Sequence, residues 1–136
     1  MGSILLVEAD PVTSDQWASA LRDAGHAIVQ VHMSREVLPV ILEGGIDAVV
    51  LDAYDPRIGI TDLAKKIAAL PDAPPLVLIS GSPFAPEISA RIGAAAFLVK
   101  PCEPAEVVAV ANRLVGDVRP VRIIEDDPTG RSRSQI

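Results

Sequence analysis

Five short apolar runs recur along the chain, and they constrain its fold more than any other feature. Each is four or five residues long, and together they are Ile4–Val7, Ala27–Val31, Ala48–Leu51, Leu76–Ile79 and Ala95–Val99. Apolar runs with little polar alternation are typical of strands that are covered on both faces. We therefore expect five buried strands.

Segments with helical spacing separate these runs. Their apolar positions recur at three- and four-residue intervals, as in Trp17, Ala20, Leu21 and Ala24, in Val107, Val110, Ala111 and Leu114, and in Leu63, Ile67 and Leu70. Strands that alternate with helices predict an α/β fold, a five-stranded parallel sheet with helices on both faces.

Local signals predict where several of these helices begin and end. Asp10 is a candidate N-cap for a first helix that begins near Pro11. Gly25 and Gly116 are expected to follow the first and last helices. Pro39 should bend the second helical segment or delay its start.

The chain length and composition predict one domain with an aliphatic core. The chain has 136 residues, of which 49% are hydrophobic and only 3% aromatic. We expect residues 1–116 to form this domain and residues 117–136 to form a flexible tail, because the helical and strand patterns stop there. The sequence VRII at 121–124 is a candidate docked strand within that tail.

Several function classes are disfavoured by composition. No apolar run approaches the roughly 18 residues of a membrane span, and no secretion signal is visible, so we expect no membrane insertion and a cytoplasmic location. Cys102 is the only cysteine, which suits a reducing compartment. The net charge of −6 argues against a nucleic-acid partner.

Reactive side chains follow four of the predicted strands. The first strand runs into Glu8 and Asp10, the third into Asp52, the fourth into Ser80 and the fifth into Lys100. Ligands of open parallel sheets collect at the carboxyl ends of the strands. Carboxylates, a hydroxyl and an ammonium at one edge suit chemistry on a phosphoryl group.

The sequence blocks that carry these residues resemble response-regulator receiver domains. They are ILLVEADP, DAVVLDAYDP, LVLISG and GAAAFLVKPCEP, and the likeness covers roughly residues 3–115. The resemblance implies the flavodoxin-like (βα)5 fold with strand order 2-1-3-4-5. It also implies a role in a two-component phosphorelay.

The resemblance assigns a role to each matching position. Asp52 takes the place of the phosphoacceptor, and Lys100 that of the lysine that accompanies it, followed by a proline that is usually cis. Ser80 and Phe97 take the places of the two switch residues. The backbone carbonyl of Tyr54 takes the place of a metal ligand.

The acidic pair that holds Mg²⁺ in receiver domains is altered in this chain. Glu8 matches the first acid of the pair, but Ala9 replaces the aspartate that usually ligates the metal. Asp10 is a candidate substitute ligand, besides being a candidate N-cap. Asp55 and an early Gly59 also depart from the pattern around the acceptor.

Three functions remain open at this point. In the first, a histidine kinase or phosphotransfer protein phosphorylates Asp52, and altered contacts reach a downstream protein target. In the second, a degenerate receiver binds proteins without phosphorylation. The third, a small enzyme or nucleotide binder, lacks the glycine-rich motifs such proteins need, so we expect no enzyme activity. A homodimer is compatible with each of these functions.

Overall fold

The computed structural model describes residues 2–53 and 60–118. Five parallel strands form one sheet in the order β2-β1-β3-β4-β5. The strands are β1 (Ser3–Val7), β2 (Ala27–Val31), β3 (Ala48–Ala53), β4 (Leu76–Ser80) and β5 (Ala96–Val99). The predicted fold class and strand order are both confirmed.

Five α-helices and a 3₁₀ turn connect the strands. They are α1 (Pro11–Asp23), a 3₁₀ turn (Ser34–Glu36), α2 (Val37–Leu42), α3 (Ile60–Ala68), α4 (Ala85–Ile92) and α5 (Pro104–Val118). Pro39 lies in the first turn of α2, where its missing N–H has no helical partner to lose. Of the two predicted effects of Pro39, the structure therefore shows a later start of the helix and not a bend in its middle.

Alternating residues of the strands contribute side chains to two aliphatic layers, one on each face of the sheet. Leu5 and Val7 face a cluster that includes the inner sides of α2, α3 and α4. Ile4 and Leu6 face a second cluster, formed with α1 and α5. The central strands are therefore apolar on both faces, as their sequences predict.

The buried face of α1 is rotated slightly from the predicted one. Trp17 and Leu21 are buried as expected, but Ala18 completes the buried face, whereas Ala24 is exposed at the C-cap. Gly25 follows with a φ of 100°, which ends the helix as predicted. The last helix differs, because α5 continues through Gly116 to Val118.

The amino-terminal edge of the sheet is tied to α5 by one buried histidine. The Gly2 N–H donates to His26 Nδ1 over 3.2 Å, and His26 Nε2 lies 2.5 Å from Asn112 Oδ1. The neutral tautomer with hydrogen on Nε2 satisfies both contacts. This edge lies opposite the strand ends that carry the reactive side chains.

Among residues 2–53 and 60–118, no helix is both long and apolar enough to cross a membrane. The predictions for Tyr54, Asp55 and Gly59, and those for the tail beyond Val118, lie outside the described residues. The division of the chain at residue 116 stays a prediction.

Candidate functional site

Two buried carboxylates meet at the carboxyl edge of the sheet because β1 and β3 are neighbours. Val7 pairs with Leu51 in the parallel register, so the residues that follow each of them, Glu8 and Asp52, come to the same edge. Both are buried, and only 1% of the Asp52 side chain is exposed. Two acids are therefore held together where water can solvate little of their charge.

Lys100 supplies the positive charge beside this pair. It follows β5, and its Nζ lies 2.7 Å from Asp52 Oδ2 and 3.9 Å from Glu8 Oε1. The Lys100–Pro101 peptide bond that follows is cis, as the resemblance implies. The structure thus brings together three of the predicted site residues, from three different strands.

The two carboxylates keep oxygens free for another group. Glu8 Oε2 accepts the Asp10 N–H over 2.8 Å. Within the described residues, Glu8 Oε1 and Asp52 Oδ1 are buried and accept no hydrogen bond. Burial raises the pKa of Asp52 above its usual 3.8, and the hydrogen bond and charge of Lys100 only partly oppose that rise.

Asp10 acts as the N-cap of α1 and is turned toward the helix. Its Oδ2 accepts the Thr13 N–H over 3.1 Å and the Thr13 hydroxyl over 2.7 Å. The Thr13 hydroxyl, and next the Thr13 amide, hold the pKa of Asp10 below its usual value. The N-cap interpretation is confirmed, while metal ligation by Asp10 stays a prediction.

The side chains at this edge fit a hard cation, with a reduced set of ligands. The free oxygens Glu8 Oε1 and Asp52 Oδ1 are donors of the type that Mg²⁺ prefers. Ala9 offers no ligand, and the described residues contain no group of three Asp, Glu, His or Cys side chains placed to hold a metal ion. The carbonyl of Tyr54 lies outside the described residues.

The two predicted switch residues lie on β4 and β5. Ser80 is buried at the end of β4, and its Oγ accepts the Ser82 N–H over 3.0 Å. Phe97 points away from the core, since it is an exposed position of β5. The structure therefore places Ser80 at the carboxyl edge and Phe97 on the outer surface.

Other residues around the site were not singled out from the sequence. His32 Nδ1 lies 2.9 Å from the backbone oxygen of Glu8, and so ties the end of β2 to the acidic loop. Phe84, the residue before α4, and Val99 on β5 are exposed apolar residues, as is Phe97. His32 directly follows β2, a strand that the resemblance places beside β1. That position in the sequence could have identified it.

The thiol of Cys102 lies close to the site but is poorly suited to react. It is half-buried, and burial, followed by the charge of Glu106, raises its pKa. The thiolate is the reactive form of cysteine.

A comparison with protein families identifies the family of this chain, and a comparison with solved structures supports its fold. A family profile described as the response regulator receiver domain matches residues 4–112. A search of curated proteins finds no match. Many solved structures match the chain.

Three of these structures illustrate the likeness. The signal receiver domain of a signal transduction histidine kinase from Syntrophus aciditrophicus is 24% identical, with a TM-score of 0.77 over 92% of this chain and 98% of that one. The chemotaxis protein CheY4 of Vibrio cholerae is 21% identical, with a TM-score of 0.74 over 84% and 98%. A CheY-like receiver domain protein from Methanospirillum hungatei is 21% identical, with a TM-score of 0.76 over 86% and 95%.

Proposed function

The chain belongs to the response regulator receiver domain family, and from this we propose that Asp52 is the phosphoryl acceptor through which it acts in two-component signalling. The observation that carries the proposal is the position of Lys100. Its ammonium lies between the buried carboxylates of Asp52 and Glu8, at 2.7 Å and 3.9 Å. Such an arrangement places positive charge where phosphoryl oxygens would gather.

The proposed reaction is a phosphoryl transfer to Asp52. One oxygen of the Asp52 carboxylate attacks phosphorus and forms an acyl phosphate. The bond from phosphorus to the donor breaks, and the leaving group, the imidazole of a phosphohistidine or the acetate of acetyl phosphate, departs with the bonding electrons. Lys100 pairs with a transferred oxygen. Because Ser80 Oγ accepts from Ser82, the Ser80 hydroxyl hydrogen is left to donate to another oxygen.

Receiver domains generally bind Mg²⁺ near the phosphorylation site. In this chain we propose that Glu8, Asp52 and the backbone carbonyl of Tyr54 would hold it, with Asp10 kept at its helix cap. A bound Mg²⁺ neutralises charge on the acceptor and the phosphoryl oxygens. With no carboxylate at position 9, we expect weak binding.

The proposed partners are proteins at both ends of the reaction. Receiver domains interact with histidine kinases or phosphotransfer proteins and with downstream targets. We propose that the exposed apolar side chains of Phe84, Phe97 and Val99 belong to the surface that meets the target. We propose no enzyme activity toward a separate substrate.

The first experiment is phosphorylation by a small-molecule donor. The protein is incubated with acetyl phosphate and Mg²⁺, and intact mass is measured for the wild type and for Asp52→Asn. We expect the wild type to gain one phosphoryl group and the variant to gain none. If neither acetyl phosphate nor a phosphorylated cognate kinase modifies the wild type, the proposal is wrong.

A second candidate is a receiver that signals by binding alone. Two observations favour it: Ala9 supplies no metal ligand, and the Asp52 side chain is 99% enclosed, with its ammonium partner already in place. This candidate predicts that cells carrying Asp52→Asn signal normally. Loss of signalling with a folded variant would exclude it.

Restoring the missing acid should strengthen metal binding. We expect Ala9→Asp to lower the Mg²⁺ dissociation constant by about tenfold or more, because it adds a third, negatively charged carboxylate to those of Glu8 and Asp52. Calorimetric titration measures the change, and Ala9→Asn, which adds similar volume without charge, is the control. Equal affinities of the wild type and Ala9→Asp would show that position 9 does not face the ion.

A further inference from the structure

The backbone hydrogen bonds between β1 and β2 stop at the N–H of Glu8. Val7 pairs with Val31 in the parallel register, and the Glu8 N–H donates to the Val31 carbonyl over 3.1 Å. In a continued parallel ladder the Glu8 carbonyl would next accept the N–H of Met33. That N–H donates to Glu36 Oε1 instead, over 3.1 Å. The Glu8 carbonyl therefore needs another donor.

The ring of His32 takes the place of the missing backbone bond. Its Nδ1 lies 2.9 Å from the carbonyl oxygen of Glu8. A carbonyl oxygen only accepts, so the ring carries a hydrogen on Nδ1. The backbone N–H of His32 donates to Glu36 Oε1 over 3.1 Å, and this bond orders the turn that presents the ring. The N–H and the carbonyl of Glu8 are thus both anchored to the end of β2.

The carboxylate of this anchored residue faces the proposed phosphorylation site. Glu8 Oε2 accepts the Asp10 N–H over 2.8 Å. Within the described residues, Oε1 is buried, accepts no hydrogen bond and lies 3.9 Å from Lys100 Nζ. A rotation of the Glu8 backbone would move both oxygens. Because Ala9 adds no oxygen from its side chain, the site depends on the placement of this one carboxylate.

We propose that His32 is a positioning residue of this site: by holding the Glu8 carbonyl, it keeps the Glu8 carboxylate turned toward Asp52 and Lys100. This role rests on the function proposed above. His32 acts through Glu8 and does not touch the reacting atoms. Groups that orient a metal ligand in this way typically change metal affinity by about 10–100-fold. His32 is exposed and acts through the backbone, so we expect the lower end of that range.

Two amide side chains test which ring nitrogen of His32 acts. The side-chain N–H of asparagine comes close to the position of Nδ1, whereas that of glutamine comes close to the position of Nε2. We expect His32→Ala and His32→Gln to raise the Mg²⁺ dissociation constant about tenfold in a calorimetric titration. His32→Asn should bring the constant back near its wild-type value.

Gln30→Ala is the matched control, because Gln30 also belongs to the β2 edge of the sheet. Its side chain donates to Ser14 Oγ and to Asp15 Oδ1, each over 2.9 Å, and so ties β2 to α1. Its loss should lower the thermal midpoint and leave the Mg²⁺ dissociation constant unchanged. An equal loss of affinity in Gln30→Ala would show that any loosening of β2 has the same effect, and the specific role of His32 would be wrong.

A measurement without metal separates this role from the proposed function. The Asp10 N–H donates to Glu8 Oε2, so its amide proton resonance reports the position of the Glu8 carboxylate. In the metal-free protein, His32→Ala should move this resonance upfield and His32→Asn should return it. An unchanged resonance in His32→Ala would overturn the positioning role. A wild type that neither binds Mg²⁺ nor accepts a phosphoryl group would overturn the proposed function instead, and the Asp10 resonance would still decide whether His32 holds Glu8.

Discussion

Asp52, the proposed acceptor, is one of two buried carboxylates at the carboxyl edge of the sheet. Almost all of its side chain is withdrawn from water, burial raises its pKa, and Lys100 lies beside only one of its oxygens. Burial of a charge that is incompletely paired opposes folding. Function and stability are therefore in conflict at this position.

Replacing Asp52 with asparagine should stabilise the protein at neutral pH. The folded-state pKa of Asp52 lies above 3.8, so the free energy of unfolding falls as pH rises from 3.8 through that raised value. Removing the charge should raise the free energy of unfolding by about 1 kcal/mol at pH 7. Lys100, at 35% exposure, can turn to solvent.

Urea unfolding at several pH values measures this gain. The stabilisation by Asp52→Asn should shrink as pH falls below the raised pKa of Asp52, because Asp52 of the wild type is then protonated and uncharged, like the asparagine. The exposed Asp23→Asn variant controls for a general loss of negative charge. A destabilised Asp52→Asn protein at pH 7 would show that the pair with Lys100 outweighs the burial.

At the residue scale, the sequence predicts which residues belong to the site better than it predicts their contacts. Glu8, Asp52 and Lys100 meet as expected, because strand order alone brings their positions to one edge. The contact of His32 with the Glu8 backbone was not predicted, because it depends on how the loop after β2 turns back. The two roles open to Asp10 could be separated only by the direction of its side chain.

At the scale of elements, α1 connects the acidic loop to the core. Its first turn is capped by Asp10, whose own N–H is held by Glu8. The cap and the carboxylate site therefore share a backbone segment of three residues. A substitution that alters the helix cap should therefore also alter the carboxylate site, and a substitution in the site should alter the cap.

Two substitutions of Asp10 should separate its capping role from metal ligation. Asp10→Ala removes the side-chain acceptor and should lower the thermal midpoint, whereas Asp10→Asn caps nearly as well and should largely preserve it. The low pKa of Asp10 means that its contribution to stability is present above about 3.8 and is lost as pH falls through the folded value.

The metal affinity of the same two variants completes the test. If Asp10 only caps the helix, Mg²⁺ should bind Asp10→Asn and the wild type with similar affinity in a calorimetric titration. A large loss of affinity in Asp10→Asn, with its thermal midpoint unchanged, would identify Asp10 as a ligand.

The strands were predicted within one or two residues of their observed bounds, whereas helix faces and ends were less accurate. An apolar run covered on both faces has few alternative placements, so β4 at Leu76–Ser80 was readily predicted. Small alanines make the face of α1 ambiguous, since Ala18 and Ala24 look alike in sequence but only one meets the sheet. Gly116 lies within α5, because one glycine costs a helix only about 1 kcal/mol.

At the scale of the whole molecule, one sheet lies between two aliphatic layers and connects them. Leu78 is fully buried in the layer beneath α2, α3 and α4, and Leu21 in the layer with α1 and α5. Central strands contribute side chains to both layers. Neither layer has a sheet of its own on which to remain folded.

A cavity in either layer should therefore destabilise the whole domain, and the domain should still unfold in one transition. We expect Leu78→Ala and Leu21→Ala each to cost about 2–5 kcal/mol, with one transition and an unchanged m-value. Fluorescence of Trp17, buried in the layer of Leu21, should report the same urea midpoint for Leu78→Ala as circular dichroism does. Separate midpoints would mean that the layers unfold independently.

The contact of Gly2 with His26, and of His26 with Asn112, has a consequence for how this domain can be joined to others. It holds the first strand and the last helix at one corner, so a chain can enter and leave the domain there almost side by side. Domains with adjacent ends tolerate circular permutation and insertion into other proteins. The carboxylates lie at the opposite edge. A short linker from residue 118 back to residue 2, with new ends opened in the loop at Gly44–Gly45, should therefore yield a rearranged protein whose chemistry is undisturbed.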